Sequence, residues 1–439
     1  MALQHLDKPL AYSTCGTKDA HSEMAGHHHR RFFLPLNWGN LSGRYLWPRV
    51  NEQLYHWQGD ITGAHLHCAR SATRPAPEPA DGELSARVPC PGRPKVAPVE
   101  KANETVKYFV DMVLTKDCLR IDCGAEAGRI AQVLKAQVFH RLKRKGAVVA
   151  LSGGIDSSVT LALCAKALGS DRVLALLLPE FESDAESLRL GRLLVAHLQV
   201  NSIVEEIGPL LETAGCYRRR DEAIRTQLPE YGPGYKCKIV LSPGAGQKGF
   251  NFFHLVISSP EGVQRSLRLD AATYLGIVAA TNMKQRARKF FEYYHADRLN
   301  FAVAGTPNRL EYDQGFFVKN GDGAADLKPI AHLYKSQVYQ LAQYLGLPAE
   351  ILRRPPTTDT YSLPQSQEEF YFSLPYEQMD LCLYGLNRGL PPADVSAATG
   401  LTPEQVQDVY GQIESKRRGT RYQHMPPLLI EEIEGPELD

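Results

Sequence analysis

The chain has 439 residues, 43% of them hydrophobic, and its 50 Lys and Arg residues nearly cancel its 49 Asp and Glu residues. This length suits one large or two ordinary domains, and the balanced charge lacks the global basic field expected of a nucleic-acid-binding protein. No apolar run approaches the roughly 18–20 residues of a membrane span, and the N-terminus has no basic segment followed by an apolar one. The nine cysteines follow no disulfide framework, so we expect reduced thiols and a cytoplasmic protein.

Residues 1–105 differ in composition from the rest of the chain. Residues 70–100 are rich in Pro, Ala and charged side chains. A segment with few apolar side chains cannot offset the entropy lost when it becomes ordered. We therefore predict that residues 1–105 form a poorly ordered extension with a Pro-rich linker, and that residues 106–439 form the functional domain.

From Lys107 onward, helical and strand patterns alternate. A helix over "AGRIAQVLKAQVFHRLKRKG" precedes the buried strand "AVVALS". The next segments read as helix, strand, helix and strand: "SSVTLALCAKAL", "DRVLALLLP", "SDAESLRLGRLLVAHL" and "SIVEEIG". This alternation predicts an α/β fold in which a doubly wound parallel sheet carries helices on both faces.

An insertion at about 236–270 interrupts this pattern. Phe250–Leu269 alternates around "SPEG", which predicts a β-hairpin. The helix "YLGIVAATNMKQRARKFFEYYHADRL", the strand "NFAVAGT" and a helix around "LYKSQVYQLAQYLG" follow. A helical tail over about 390–430 contains a capping box, in which Thr402 is the N-cap, Pro403 is the first helical residue and Gln405 is the reciprocal partner.

The stretch "SGGIDSS", Ser152–Ser158, lies between the first strand and its helix, where ligands bind in open α/β sheets. Gly153 and Gly154 allow backbone N–H groups to approach an anion, and the helix N-terminus adds further donors. Asp156 would repel a bare phosphate, so a carboxylate here favours a Mg²⁺ ligand. The loop has no Walker lysine, and no G-x-G-x-x-G opens a helix after a strand, which disfavours hydride chemistry.

This loop resembles that of the ATP pyrophosphatases, which cleave ATP between the α and β phosphates. The group includes NAD, GMP and asparagine synthetases and several tRNA-modifying enzymes. The resemblance implies an adenine nucleotide alpha hydrolase-like fold. The loop alone does not choose among the members of the group.

A second block, "AVAGTPNRLEYDQGFFVKNGDGAADLKPIAHLYKSQ", resembles the NAD synthetase motif, and "RRPPTTD" resembles the family's Pro-Thr-x-Asp. The resemblance spans roughly residues 125–430. The matching residues are Thr306, Glu311, Gly315, Phe317, Lys319, Gly321, Asp322, Gly323, Asp326, Lys335, Thr357 and Asp359.

The resemblance implies a role for each matching position. Mg²⁺ would be held by Asp156 and Glu311. ATP would be bound by Leu151, Ser152, Gly153, Gly154, Ile155, Asp156, Ser157, Ser158, Thr306, Lys335 and Thr357. Deamido-NAD would be held by Arg286, Lys319, Asp326 and Lys416, and the catalytic residues would be Asp156, Lys335 and Asp326.

The implied reaction is the ATP-dependent amidation of deamido-NAD to NAD through an acyl-adenylate, with ammonia as the nitrogen donor. About 105 preceding residues are too few for the amidase domain of glutamine-dependent members. We therefore expect free ammonia, or ammonia from a separate glutaminase. The resemblance also implies a homodimer, and we expect no nucleic-acid or membrane partner.

Two substitutions and the insertion depart from the family pattern. Ser415 stands where a histidine is usual, and Gln367 stands where an acidic residue is usual. They leave open a related amide ligase that acts on another carboxylate. A tRNA-modifying enzyme would need a cysteine pair and a basic surface that the sequence does not clearly supply. A non-catalytic nucleotide-binding module is disfavoured by Asp156 and Glu311.

Overall fold

A computed structural model of the chain describes residues 114–242, 252–357, 360–431 and 433. All of them lie in a compact unit over residues 96–439. The extension predicted over residues 1–105 lies outside the described residues.

The helices and strands follow one another in an alternating order over the first half of this unit. In chain order they are α1 (Cys123–Ala136), β1 (Ala147–Ala150), α2 (Ile155–Leu168), β2 (Val173–Leu177), α3 (Ala185–Leu198), β3 (Asn201–Val204), α4 (Gly208–Thr213), α5 (Cys216–Arg225), β4 (Lys236–Ser242), β5 (Phe252–Ser258), β6 (Gln264–Arg268), α6 (Ala271–Leu299), β7 (Ala302–Ala304), α7 (Arg309–Gln314), α8 (Lys335–Tyr344), α9 (Ala349–Arg353), α10 (Tyr376–Asn387), α11 (Pro392–Thr399) and α12 (Pro403–His424). Short π-helical turns occupy Gln137–Arg141 and Glu368–Phe372.

The central sheet is parallel, with strand order β3-β2-β1-β7. Successive residues of β1 face opposite sides of it, as the strand period requires. Val149 packs into a core with α1, α2, α3 and α8, whereas Val148 packs into a second core with α4, α5 and α6. The structure therefore confirms the predicted doubly wound parallel sheet with helices on both faces. Cys164 of α2 is fully buried in the first core.

The insertion is a three-stranded antiparallel sheet in the order β4-β5-β6. The predicted hairpin around "SPEG" corresponds to β5 and β6, which pair from Ser258 with Gln264 to His254 with Arg268. Strand β4 adds a third strand that the hairpin prediction did not include. The buried side chains of this sheet pack against Ile224 of α5 and Ile277 of α6. The insertion is thus anchored on the helices that cover one face of the central sheet.

Helices α10, α11 and α12 form a separate hydrophobic cluster that also receives Leu310 of α7. The predicted capping box is confirmed, because Gln405 N donates to Thr402 Oγ1 at 3.3 Å and Thr402 N donates to Gln405 Oε1 at 2.9 Å. This packing brings the end of α12 next to α7. Among the described residues, no helix combines the length and the apolar character that a membrane span requires.

Candidate active site

The loop from Leu151 to Gly154 leaves the carboxyl end of β1 and leads directly into α2. Gly153 has a φ of 71°, and a Cβ at this position would lie 2.6 Å from the carbonyl oxygen of Ser187. Only glycine fits both constraints. The Gly154 carbonyl accepts the hydroxyls of Ser157 at 3.0 Å and Ser158 at 2.8 Å. These serine hydroxyls therefore order the loop. The first turn of α2, which follows the loop, lines a cavity.

Arg354, which follows α9, stabilises this loop and also lines the cavity next to it. Its guanidinium donates to the Ser152 carbonyl at 3.2 Å and to Ser187 Oγ at 2.7 Å, and it lies 3.5 Å from Asp184 Oδ2. Sequence reasoning missed this role. The available signal was an arginine directly before the Pro-Pro of the "RRPPTTD" block.

A cavity of about 500 Å³ opens at the carboxyl ends of β1, β2 and β7. One face of α6 lines it from Tyr274 to Glu292. At 1.5 Å of rise per residue, this face is about 27 Å long. The cavity therefore offers room for an extended ligand, with the Ser152–Ser158 loop at one part of its wall and Arg286 and Lys319 at another.

Two carboxylates and one lysine converge beside the loop. Asp156 Oδ1 accepts a hydrogen bond from Asn308 Nδ2 at 3.1 Å, and Asp156 Oδ2 pairs with Lys335 Nζ. Asn308 caps α7 and exchanges hydrogen bonds of 3.1 and 3.2 Å with Glu311 in a capping box. The cap thus fixes Glu311 next to Asp156, although the two residues are 155 positions apart in the sequence.

The electrostatics of this cluster suit a bound cation. Burial, with the nearby Asp156 carboxylate, raises the pKa of Glu311 to about 8. Burial alone would lower the pKa of Lys335, but the Asp156 and Glu311 carboxylates raise it. Within the described part of the chain, no three His, Cys, Asp or Glu side chains group as a metal site. Two oxygen ligands nevertheless fit Mg²⁺, which commonly completes its shell with water and substrate phosphates.

Helix α10 fixes the backbone of Lys335 through the side chain of Asp380. Asp380 Oδ1 accepts from Lys335 N at 3.2 Å, and Asp380 Oδ2 accepts from Ser336 N at 2.8 Å, so this buried carboxylate caps α8. Burial raises the pKa of Asp380 to about 6. The Lys335 ammonium also lies 5.2 Å from the centre of the Tyr376 ring. The sequence did not indicate Asp380, because nothing in its local pattern distinguishes it from a surface acid.

Several other residues predicted to bind ATP or deamido-NAD line the same cavity. Thr306 follows β7, and Thr357 follows α9. Arg286 Nε donates to the Lys319 carbonyl at 3.3 Å. Lys319 Nζ donates to the Tyr422 carbonyl at 2.8 Å and so ties this wall to the end of α12. These four residues therefore line the same cavity as Asp156, Glu311 and Lys335, whereas Gly153 and Ser158 are not among the described residues that line it.

Two predicted substrate residues are not among the described residues that line the cavity. Asp326 accepts from Val303 N at 2.7 Å and from Tyr293 at 3.2 Å, and so fixes the end of β7. Lys416 Nζ donates to the Tyr371 carbonyl at 2.6 Å, and burial lowers its pKa to about 8.

One helical turn beyond Lys416, Thr420 does line the cavity, as do Tyr422 and Gln423. Gln367 also lines it, and its Oε1 accepts from Tyr376 at 2.6 Å. Asp359 lies outside the described residues.

The parallel sheet, the glycine-containing loop at its carboxyl edge and the Asp156–Glu311–Lys335 cluster define a nucleotide-binding α/β enzyme. The sequence model of the family described as "NAD synthase" matches residues 126–226 and 261–425. The chain therefore belongs to the NAD synthase family, and is a ligase of NAD biosynthesis that uses ATP as a co-substrate.

Among curated relatives, the NH(3)-dependent NAD(+) synthetase of Rhizobium meliloti (strain 1021) is 59% identical over 326 residues, or 74% of this chain and 97% of the relative. That of Thermotoga maritima (strain ATCC 43589 / DSM 3109 / JCM 10099 / NBRC 100826 / MSB8) is 35% identical and covers 62% of this chain and 90% of its own length. The solved NMN synthetase of Francisella tularensis aligns with a TM-score of 0.48 at 22% identity, over 71% of this chain and 99% of that one.

Proposed function

We propose that the protein converts deamido-NAD to NAD, using ammonia as the nitrogen donor and cleaving ATP to AMP and pyrophosphate. The observation that carries this proposal is the convergence of Asp156, Glu311 and Lys335 beside a phosphate loop in an extended cavity. The names of the related NH(3)-dependent enzymes support ammonia as the donor.

The loop and the lysine would bind the triphosphate. The N-terminus of α2 presents free N–H groups and a positive dipole end to an anion. Lys335 supplies a compact positive charge, and Thr306 and Thr357 supply hydroxyl donors. Asp156 and Glu311 would hold Mg²⁺, which would neutralise charge that develops on the pyrophosphate leaving group. The protein thus acts mainly by positioning and charge neutralisation.

The reaction has two steps. A carboxylate oxygen of deamido-NAD attacks the α-phosphorus of ATP, the bond to pyrophosphate breaks, and an acyl-adenylate forms. Ammonia then attacks the carbonyl carbon, the bond to the AMP oxygen breaks, and the added nitrogen loses its surplus proton to solvent. No protein nucleophile is needed, in keeping with the complete burial of Cys164.

The part of the cavity that Arg286 and Lys319 line would hold the dinucleotide. Arg286 and Lys319 lie there as a basic pair suited to the pyrophosphate of deamido-NAD. Asp326 and Lys416 would support this end indirectly, Asp326 through β7 and Lys416 through the Tyr371 segment.

We further propose a homodimer that works in the cytoplasm. On α6, Phe290 and Tyr294 are 64% and 56% exposed one turn apart, next to the turn that carries Arg286. A second copy that covers this face would lie close to the dinucleotide end. Light scattering of the full chain should give twice the monomer mass, and a Phe290→Asp variant should shift toward the monomer. A monomeric wild-type protein at working concentration would exclude the dimer.

The test of the reaction follows one oxygen atom. The protein is incubated with ATP, Mg²⁺, ammonium and deamido-NAD whose carboxylate carries ¹⁸O. We expect equal amounts of NAD and AMP, with one ¹⁸O transferred to AMP. Asp156→Asn should abolish both products, and Asp171→Asn, at an exposed position before β2, serves as the matched control. Formation of NAD without labelled AMP would rule out the acyl-adenylate, and no NAD at all would rule out the substrate.

A further inference from the structure

The inserted sheet contributes a side chain to the cavity. The two segments that match the family leave out residues 227–260, which include β4 and β5. On β5, Phe253 shares a face with the buried Leu255 and Ile257, because residues two apart on a strand point to the same side. All three pack in the cluster on α5 and α6, and Phe253, nearer the start of the strand, also lines the cavity.

Phe253 is held in place by α6. Its ring stacks on Tyr274 with centroids 4.2 Å apart and an interplanar angle of 18°. Its carbonyl accepts from Leu269 N at 3.0 Å, and Asp270 caps the first turn of α6 through a 2.7 Å hydrogen bond from Thr273 N. Contacts within the protein therefore fix the position of this aromatic pair.

A second aromatic pair belongs to the same part of the cavity. Phe370 and Tyr371, from the π-helical turn, line the cavity, and Phe370 packs in the same hydrophobic cluster as Phe253 and Tyr274. Phe316 holds this second pair, with ring centroids 4.6 Å from Tyr371 and 5.8 Å from Phe370.

Contacts connect the segment of the second aromatic pair to the cluster of Asp156, Glu311 and Lys335. The Tyr371 hydroxyl donates to the Gln314 carbonyl at 2.7 Å, and Gln314 lies one turn after Glu311 in α7. From the same π-helical turn, Phe372 contacts the ring of Tyr376, which lies beneath the Lys335 ammonium. The four aromatic side chains and the cluster of Asp156, Glu311 and Lys335 therefore line the same cavity.

We propose that Phe253, Tyr274, Phe370 and Tyr371 form an aromatic subsite for the nicotinate ring of the substrate. This inference rests on the proposed function, in which that ring carries the reacting carboxylate. The glycosylated ring nitrogen makes the ring a pyridinium cation. Aromatic faces bind such cations through their quadrupoles, in addition to stacking on flat rings. Phe253 is therefore a specificity residue that the insertion adds to the family's site.

The first test is kinetic and uses the full-length chain. Phe253→Ala should raise KM for deamido-NAD by about three- to thirty-fold, the range expected for loss of one stacking and cation–π contact. KM for ATP should stay unchanged, and Phe253→Tyr should restore the wild-type value. Leu267→Ala is the matched control, because Leu267 packs in the same cluster from β6 without lining the cavity.

The second test isolates the charge of the ring. NAD carries a cationic ring, whereas NADH carries a neutral dihydropyridine on the same scaffold. Product inhibition by NAD should therefore be stronger than inhibition by NADH, and Phe253→Ala should shrink this difference by several-fold. Equal inhibition by NAD and NADH in the wild type would overturn the inference.

The outcomes separate the possible occupants. A rise in KM for ATP alone would assign the subsite to the adenine of ATP and would refute the inference. A rise in KM for deamido-NAD with an unchanged NAD-to-NADH difference would assign it to the adenine of the dinucleotide, with the same consequence. A wild-type protein that makes no NAD refutes the proposed function itself, whereas NAD formation that is insensitive to Phe253 refutes only the subsite.

Discussion

Glu311→Gln is expected to stabilise the metal-free protein at alkaline pH while abolishing turnover. Burial beside Asp156 raises the pKa of Glu311 from 4.5 to about 8. Below pH 4.5 the group is protonated in both the folded and the unfolded chain. Between the two values the folded protein keeps a proton that the unfolded chain releases, so the free energy of unfolding falls as pH rises. Above about pH 8 the loss is complete.

The pKa of Glu311 sets an upper limit on this loss of free energy of unfolding. A pKa difference from 4.5 to about 8 corresponds to a loss of at most roughly 5 kcal/mol. Glutamine keeps an oxygen to accept the 3.1 Å hydrogen bond from Asn308 N, and it carries no charge at any pH. The variant therefore lacks the charge that causes the loss but keeps the capping contact.

Urea unfolding in EDTA at about pH 5.5, 7 and 8.5 measures the effect, since these values span the titration. The wild-type midpoint should fall across the series, and the Glu311→Gln midpoint should change less and exceed it at the highest pH. Asp380→Asn is the contrasting control, because its amide would face the N–H groups of Lys335 and Ser336 and destabilise the protein at every pH. A wild-type advantage over Glu311→Gln at pH 8.5 would refute the reasoning.

Three further predictions concern the loop, a buried ion pair and the nitrogen source. Gly153→Ala should lose ATP-dependent turnover because its Cβ would meet the Ser187 carbonyl at 2.6 Å, whereas Gly169→Ala, which also has a positive φ but no atom within 4 Å, should keep it. Lys284→Met should lower the free energy of unfolding by about 3–5 kcal/mol, because it leaves the buried carboxylate of Glu180, 2.8 Å away, unpaired; an unchanged urea midpoint would contradict this. Glutamine as the sole nitrogen source should give no NAD above background, and turnover equal to that with ammonium would show that the chain has its own glutaminase activity.

The central sheet was predictable because its strands and helices differ in hydrophobic period. Helix α5 was not, because its sequence "CYRRRDEAIR" is strongly polar. Its buried face consists of Cys216, Arg220 and Ile224, one turn apart, and Arg220 is buried through two hydrogen bonds of 2.6 and 2.7 Å to Glu182, 38 residues away. The ion pair that buries Arg220 depends on tertiary structure, so a pattern that counts arginine as polar does not identify this face.

The candidate site was predictable to the extent that spaced motifs identify residues. The motif match indicated Asp156, Glu311 and Lys335, which the structure places together. The motif match did not determine which turn of α12 lines the cavity. Lys416 and Thr420 lie on the same side of that helix, but four residues correspond to about 6 Å along the axis. That displacement separates a side chain buried behind Tyr371 from one at the cavity wall.

The charge at the reaction centre explains why stability and catalysis oppose each other there. With Asp156 and Glu311 both ionised, one lysine leaves the cluster with a net charge of −1, and burial makes that charge unfavourable. A proton on Glu311 neutralises this charge, which is why the pKa of Glu311 is raised. A divalent cation would instead convert the cluster to +1, the sign needed to face a triphosphate. If Glu311 holds the metal as proposed, proton and metal would compete for it, so the Mg²⁺ concentration that half-saturates turnover should fall as pH rises toward about 8. A half-saturating concentration independent of pH would show that Glu311 does not take part in metal binding.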